Sequence, residues 1–290
     1  MTDRLRMHWD FDDLDATERR LRAALSEEAS DPGRAEVLTQ LARLDGLRGD
    51  VDAGERLLEE AADLAGTSIV AAARIDLELG RLRRSSGDRG AALPLFESAY
   101  ATAAEAEEWF VAADAAHMAA LAAPDRESFD TWTERGLAVA DEHVEASYWA
   151  GPLLNNLGWK RYEAGEVEQA LDAFEHALGA RERDPANEEA IALARYAVGK
   201  ALRALGRPDE AIAPLEQAVA WTASARRPDG WFHEELAEAY AAVGRRGAAR
   251  EQAQPALALL EHQDPSFAVD TERVSRLRAL ASLGATSADV

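Results

Sequence analysis

Apolar residues recur every three to four positions through most of this chain, the period that lines one face of an α-helix. Alternating β-branched runs, the mark of strands, do not occur. Ala, Leu, Glu and Arg dominate, and these are strong helix formers. The periodic segments are short, about 12 to 18 residues, and Gly, Pro and Asp punctuate them. That texture predicts packed helical hairpins rather than one long coiled coil.

The same grammar recurs along the chain. Leu or Val precedes a small residue at Leu41-Ala42, Leu79-Gly80, Leu157-Gly158, Val198-Gly199 and Leu236-Ala237. A glycine follows at a fixed distance: Gly49, Gly87, Gly165, Gly206 and Gly244. Next come a small residue (Gly54, Ala92, Ala170, Ala211, Ala249) and a bulky one (Leu58, Phe96, Phe174, Leu215, replaced by Ala253 in the last copy). An alanine closes each unit at Ala61, Ala99, Ala177, Ala218 and Ala256. The glycines are expected just past a first helix, where a left-handed backbone penalises any Cβ. The small residues are expected to let helices approach closely, and the bulky one to fill the gap between adjacent hairpins.

These offsets resemble the tetratricopeptide repeat, in a long-period form with steps of about 36 to 42 residues. The resemblance implies an all-α, right-handed α-solenoid of about six hairpins, at 35–68, 73–106, 109–142, 151–184, 192–225 and 230–263. The third copy is degenerate: Ala115-Ala116 is its small pair, Ala123-Pro124 its turn and Trp132 its bulky residue. Residues 12–34 are expected as an N-terminal capping helix and 264–290 as a C-terminal capping helix with a frayed tail, because the terminal units of a solenoid need their faces covered. Phe267, Val269, Val274, Leu277 and Leu280 form the apolar set of that last helix. No stretch is rich enough in Pro, Gly or Ser to read as a linker, so one array is expected. Pro94, Pro214 and Pro255 fall inside second helices and should bend or restart them.

Composition narrows the function. The formal net charge is −22, which argues against nucleic acid and against an anionic membrane surface as partners. With no cysteine, disulfides and thiolate chemistry are closed, and a cytoplasmic location is expected. The first ten residues lack the apolar run of a signal peptide, and no run of apolar residues has membrane-spanning length. Nucleotide-binding glycine loops are missing. The six histidines form no His-Glu-x-x-His pair, since Ala237 stands where His233 would need its partner. No cofactor, metal or catalytic residue is assigned, and the chain is expected not to be an enzyme.

In tetratricopeptide arrays the first helices line a groove that receives partners. The resemblance places Arg43, Arg74, Arg81, Arg84, His117, Asn155, Trp159, Tyr162, Tyr196, Lys200 and Arg203 on that lining, with Leu77, Phe110, Trp231, Glu234 and Glu238 nearby. Arg74, Arg81 and Arg84 share one helical face. This basic and aromatic lining suits an acidic or C-terminal peptide, because arginine grips carboxylates with paired hydrogen bonds. The competing expectation is that the arginines are solvated and the aromatics pack between repeats. The two-carboxylate clamp of the chaperone-binding members is not reproduced. Asn156 fits one slot, but Leu193, Ala197, Ala113 and His117 stand where other clamp residues belong. The function expected is a scaffold that binds a protein or peptide segment. The alternatives are a regulatory sensor responding to a short peptide or small molecule, and an enzyme with a cryptic site.

Overall fold

A computed structural model describes residues 3–283. The expected frayed tail, Gly284 to Val290, lies outside the described residues. The fold is an all-α helical-repeat solenoid, with no strand among the described residues. Fourteen α-helices are described: α1 (Leu14–Glu27), α2 (Asp31–Leu47), α3 (Val51–Ala65), α4 (Ile69–Ser85), α5 (Arg89–Glu105), α6 (Trp109–Ala122), α7 (Arg126–Glu142), α8 (Ala150–Glu163), α9 (Val167–Glu182), α10 (Glu188–Ala204), α11 (Pro208–Ser224), α12 (Gly230–Ala242), α13 (Arg246–Gln263) and α14 (Thr271–Ala281). Among the described residues, none is long and apolar enough to cross a membrane.

The helices gather into two compact units, Met1–Leu153 and Leu154–Val290. In the first, hairpins α2/α3, α4/α5 and α6/α7 follow one another, and the first helices α2, α4 and α6 touch side by side. In the second, α9 through α14 contact in sequence, and α10, α12 and α14 adjoin one another in turn.

Helix starts are written in the sequence. Asp13, Ser30, Asp50, Ser68, Asp88, Asp125, Asn187, Asp229 and Asp270 each accept a backbone N–H three residues on, satisfying a donor that the helix start leaves open. The five in-phase glycines all sit at positive φ, between 71° and 91°, the conformation that ends a first helix at low cost only for glycine. The degenerate copy turns differently. Ala123 is extended, with ψ 136°, because Pro124 disfavours the helical region for the residue before it; no left-handed residue is needed there.

Three of the small-residue slots act within a hairpin. A Cβ on Gly80 would come within 2.5 Å of the Phe96 ring, on Gly158 within 2.4 Å of Phe174, and on Gly199 within 2.4 Å of Leu215. These three bulky side chains therefore rest on the first helix of their own hairpin, and Phe174 also belongs to a buried cluster with Val198 and Leu202 of the next hairpin, as the sequence pattern expects. Phe96, Phe174 and Leu215 are fully buried by this seating, each contributing about 1.5–3 kcal/mol of apolar transfer.

Three boundaries differ from expectation. The N-terminal capping helix ends at Glu27, and residues 31–34 already belong to the first hairpin. The C-terminal segment is a 3-10 turn, Phe267–Val269, followed by α14 from Thr271; Asp270 caps the new helix and leaves Val269 exposed. Pro94, Pro214 and Pro255 do not restart their helices, which run through them. The burial of each helix against its neighbours outweighs the one backbone hydrogen bond a proline forfeits.

Candidate interaction face

In the first unit the sequence-predicted lining does converge. Arg43 on α2, Arg74, Leu77, Arg81 and Arg84 on α4, and Phe110 and His117 on α6 face the same side of the three first helices. Arg74 and Arg81 are not solvated there. Arg74, only 4% exposed, donates to both carboxylate oxygens of Asp3 at 2.6 and 3.2 Å, and its Nε lies 3.2 Å from Glu36. Arg81 donates to Glu78 at 2.6 Å and to Asp114, and Arg43 lies 3.9 Å from Asp114. Burial raises the Asp3 carboxyl, but the charge and hydrogen bonds of Arg74 outweigh that effect and leave its pKa below the usual value. Burial pushes Glu78 upward. Burial also drives the His117 imidazole down to about 4, and its ring lies 5.3 Å from that of Trp149.

The segment before α1 forms part of this face, which the repeat pattern does not predict. Residues 3–11 lie across it, turned once by a 3-10 turn at Arg6–His8. Leu5 is buried among Leu21, Val37, Leu38 and Leu41. The Arg6 guanidinium sits 4.0 Å from the Tyr148 ring centroid. The Trp9 indole donates to Gln40 at 2.9 Å and stacks on Phe11 at 4.9 Å. Arg43 lies 5.1 Å from the Trp9 ring and 5.7 Å from that of Phe11, within cation–π range. About 60 Å³ of open space remains between segment and face. The sequence does carry a signal for this segment: Trp9, Phe11 and Leu5 precede the first periodic helix, and large apolar groups outside a helix need a surface to cover them.

Beside the segment lies a more open cavity of about 210 Å³, bounded by Arg43, Leu47, Arg81, Arg84 and Met118. Leu47 is 54% exposed. Among the described residues no carboxylate pairs with Arg84, whose Nε is buried without a hydrogen-bond partner. Burial and the charges of Arg89 and Arg81 push its pKa down. The cavity therefore offers the positive charge of Arg84 beside an apolar wall.

In the second unit the predicted residues divide. Trp159, Tyr162 and Tyr196 pack against the buried cluster around Phe174 and Leu202. Trp159 meets Phe174 edge-on at 5.0 Å, and Tyr196 stacks on Phe232 at 4.7 Å. Asn155 is half-buried on α8. Lys200 and Arg203 are both held by Glu235, the latter at 2.6 Å. Burial acts to raise Glu235, but these two cations outweigh it and its pKa ends below normal. Trp231, Glu234 and Glu238 adjoin them, and α14 supplies Arg273 and Arg276, which the sequence pattern does not assign. Arg273 donates to both oxygens of Glu234 at 2.7 and 2.5 Å and to Asp264 at 2.7 Å. These groups border an open cavity of about 320 Å³. Each of its basic groups already has an acidic partner.

No protein-family model matches the chain, and no curated protein matches it. Solved structures do. The chain is similar to the apo form of RapI at 13% identity and TM-score 0.70, over 94% of this chain and 78% of that one. It is similar to BtubC (BKLC) from P. vanneervenii at 19% identity and TM-score 0.60, over 77% and 93%. A tetratricopeptide repeat protein from Parabacteroides merdae matches 93% of this chain and 92% of its own, at 16% identity and TM-score 0.46. At these identities the likeness is one of fold.

Proposed function

Starting from a tetratricopeptide-type helical-repeat fold, we propose that this chain is a protein-interaction module that binds a peptide or protein segment bearing a carboxylate on the first-helix face of its first unit. One observation carries the reading: in an acidic protein, Arg84 stands half-buried in an open cavity with Arg43 and Arg81 beside it and no carboxylate of its own among the described residues. A side-chain or C-terminal carboxylate would supply what the Arg84 guanidinium lacks, and Leu47 and Met118 would cover an apolar neighbour. Binding fits better than catalysis, because Asp3, Glu78, Asp114, Glu234, Glu235 and Glu238, the acids of the two faces, are engaged as structural ion pairs. The net charge of −22 disfavours nucleic acid as the ligand, and the lack of cysteine is compatible with a reducing compartment.

The test is a pool of ten-residue peptides, each with a free and an amidated C-terminus, selected on the full chain. Selected binders should be enriched in Asp, Glu or a free terminus. Arg84→Glu should weaken them tenfold or more while leaving the thermal midpoint nearly unchanged. Binders without carboxylates, or binders indifferent to Arg84→Glu, would overturn the reading.

A further inference from the structure

Residues 3–11 meet the first-helix face as a bound peptide would. Their backbone hydrogen bonds stay local: Arg6, His8 and Trp9 donate to Asp3, Leu5 and Arg6 respectively, and Asp10 exchanges bonds with Thr17 at the start of α1. What joins them to α2, α4 and α6 is side-chain chemistry. A carboxylate meets Arg74, an aliphatic group fills an apolar hole, and an aromatic pair lies under Arg43. Met7, between these anchors, stays exposed, and Phe11, the outer ring of the pair, keeps about half of its surface open.

Resting on the binding reading above, the geometry points to a fuller description of the partner. The face takes a peptide, turned once as residues 6–8 are, that carries a carboxylate, then a leucine-sized residue, then an aromatic pair spaced as Trp9 and Phe11, and the chain's own residues 3–11 occupy this site in cis. The site adjoins the Arg84 cavity, since Arg43 borders both. A partner with this pattern at one end and an additional carboxylate beyond its aromatic pair would fill both. The tethered segment is present at an effective concentration set by its short connection to α1, of the order of millimolar. A partner must therefore outcompete it, and the occupied face discriminates against segments that satisfy only one anchor.

The experiment uses the full chain and a fluorescein-labelled peptide reproducing residues 3–12, followed by anisotropy. The double variant Asp3→Asn/Trp9→Ala, which loosens the cis segment, should bind this peptide at least tenfold more tightly than wild type. Adding Arg43→Gln and Arg74→Gln to the loosened chain should return binding to the wild-type background. Equal binding by loosened and wild-type chains, or no binding by a loosened chain that is folded by circular dichroism, would overturn the proposal. A second measurement needs no variant. Saturating unlabelled peptide should accelerate hydrogen exchange at the Arg6, His8 and Trp9 amides of the wild-type chain, and unchanged exchange would count equally against it. If carboxylate-dependent selection on Arg84 succeeds while this competition is absent, the face binds peptides and only the self-occupancy is wrong.

Discussion

The Asp3 carboxylate and the Arg74 guanidinium share a two-pronged, buried hydrogen-bonded pair across seventy-one positions of sequence. Asp3→Ala would strand a guanidinium that is 4% exposed, with Glu36 as its remaining partner at 3.2 Å. Removing one member of a buried pair costs more than the pair contributes. A loss of about 2–4 kcal/mol is expected, read as a shift in urea denaturation followed by circular dichroism. A change within experimental error would mean that the segment carrying Asp3 does not stay on the face.

Gly158 and Gly165 make a controlled comparison, one replaced for space and the other for backbone. In Gly158→Ala the new Cβ would lie 2.4 Å from the Phe174 ring, and helix separation must change. The cost should be about 1–3 kcal/mol, the range for overpacking a filled core. Gly165→Ala meets nothing within 4 Å but must hold φ at 79°, which costs about 1–2 kcal/mol. Adding Phe174→Leu should recover part of the first loss and none of the second, measured as a double-mutant cycle in denaturant.

Glu235 is the single acid between two bases in the second unit. Glu235→Gln would leave Lys200 and Arg203 without the carboxylate that bonds both, and a loss of about 2–4 kcal/mol is expected. Glu210→Gln, which disrupts an exposed pair with Arg207, should change stability by less than about 1 kcal/mol. Comparable effects of the two substitutions in thermal melts would contradict the burial argument.

Acid should weaken the first unit through His117. Its imidazole titrates near 4 in the folded chain and near 6.5 when unfolded. Between those values the unfolded chain holds the extra proton, so stability rises with pH across that window and is lost as pH falls through it. Replacing His117 with Gln should flatten the slope by about 1–2 kcal/mol between pH 6.5 and 4. Urea midpoints measured at several pH values for both chains decide the matter; parallel slopes would show that other groups set the acid limit.

Much of the repeat is legible in the amino-acid sequence. The five glycines mark left-handed turns because no other residue takes positive φ so cheaply. The paired small and bulky slots mark close helix contact, although their spacing does not say that Phe96 rests on Gly80 of the same hairpin. The alignment of Arg74, Arg81 and Arg84 follows from helical phase, and Arg43 joins them through the repeat resemblance. Their partners do not. Phase reports which side chains share a face, while Asp3, Asp114 and Glu36 reach these arginines from elsewhere in the chain. The same blindness hides Arg273, which meets Glu234 from the last helix. The apolar set from Phe267 to Leu280 looks like one helix because spacing ignores a cap, yet Asp270 accepting from the Arg273 amide starts a second one.

The seating of Phe96, Phe174 and Leu215 on glycines of their own hairpins also bears on how the chain acquires its structure. Those contacts close a loop no longer than two helices and a turn, so a hairpin can form while the rest of the polypeptide is still emerging from the ribosome. Asp3 must wait until α4 has been made before it meets Arg74. During synthesis there is thus an interval in which Leu5 and Trp9 already find their places on α1 and α2 while the Asp3 anchor is still missing, and partner capture in that interval faces a rival with one hold fewer.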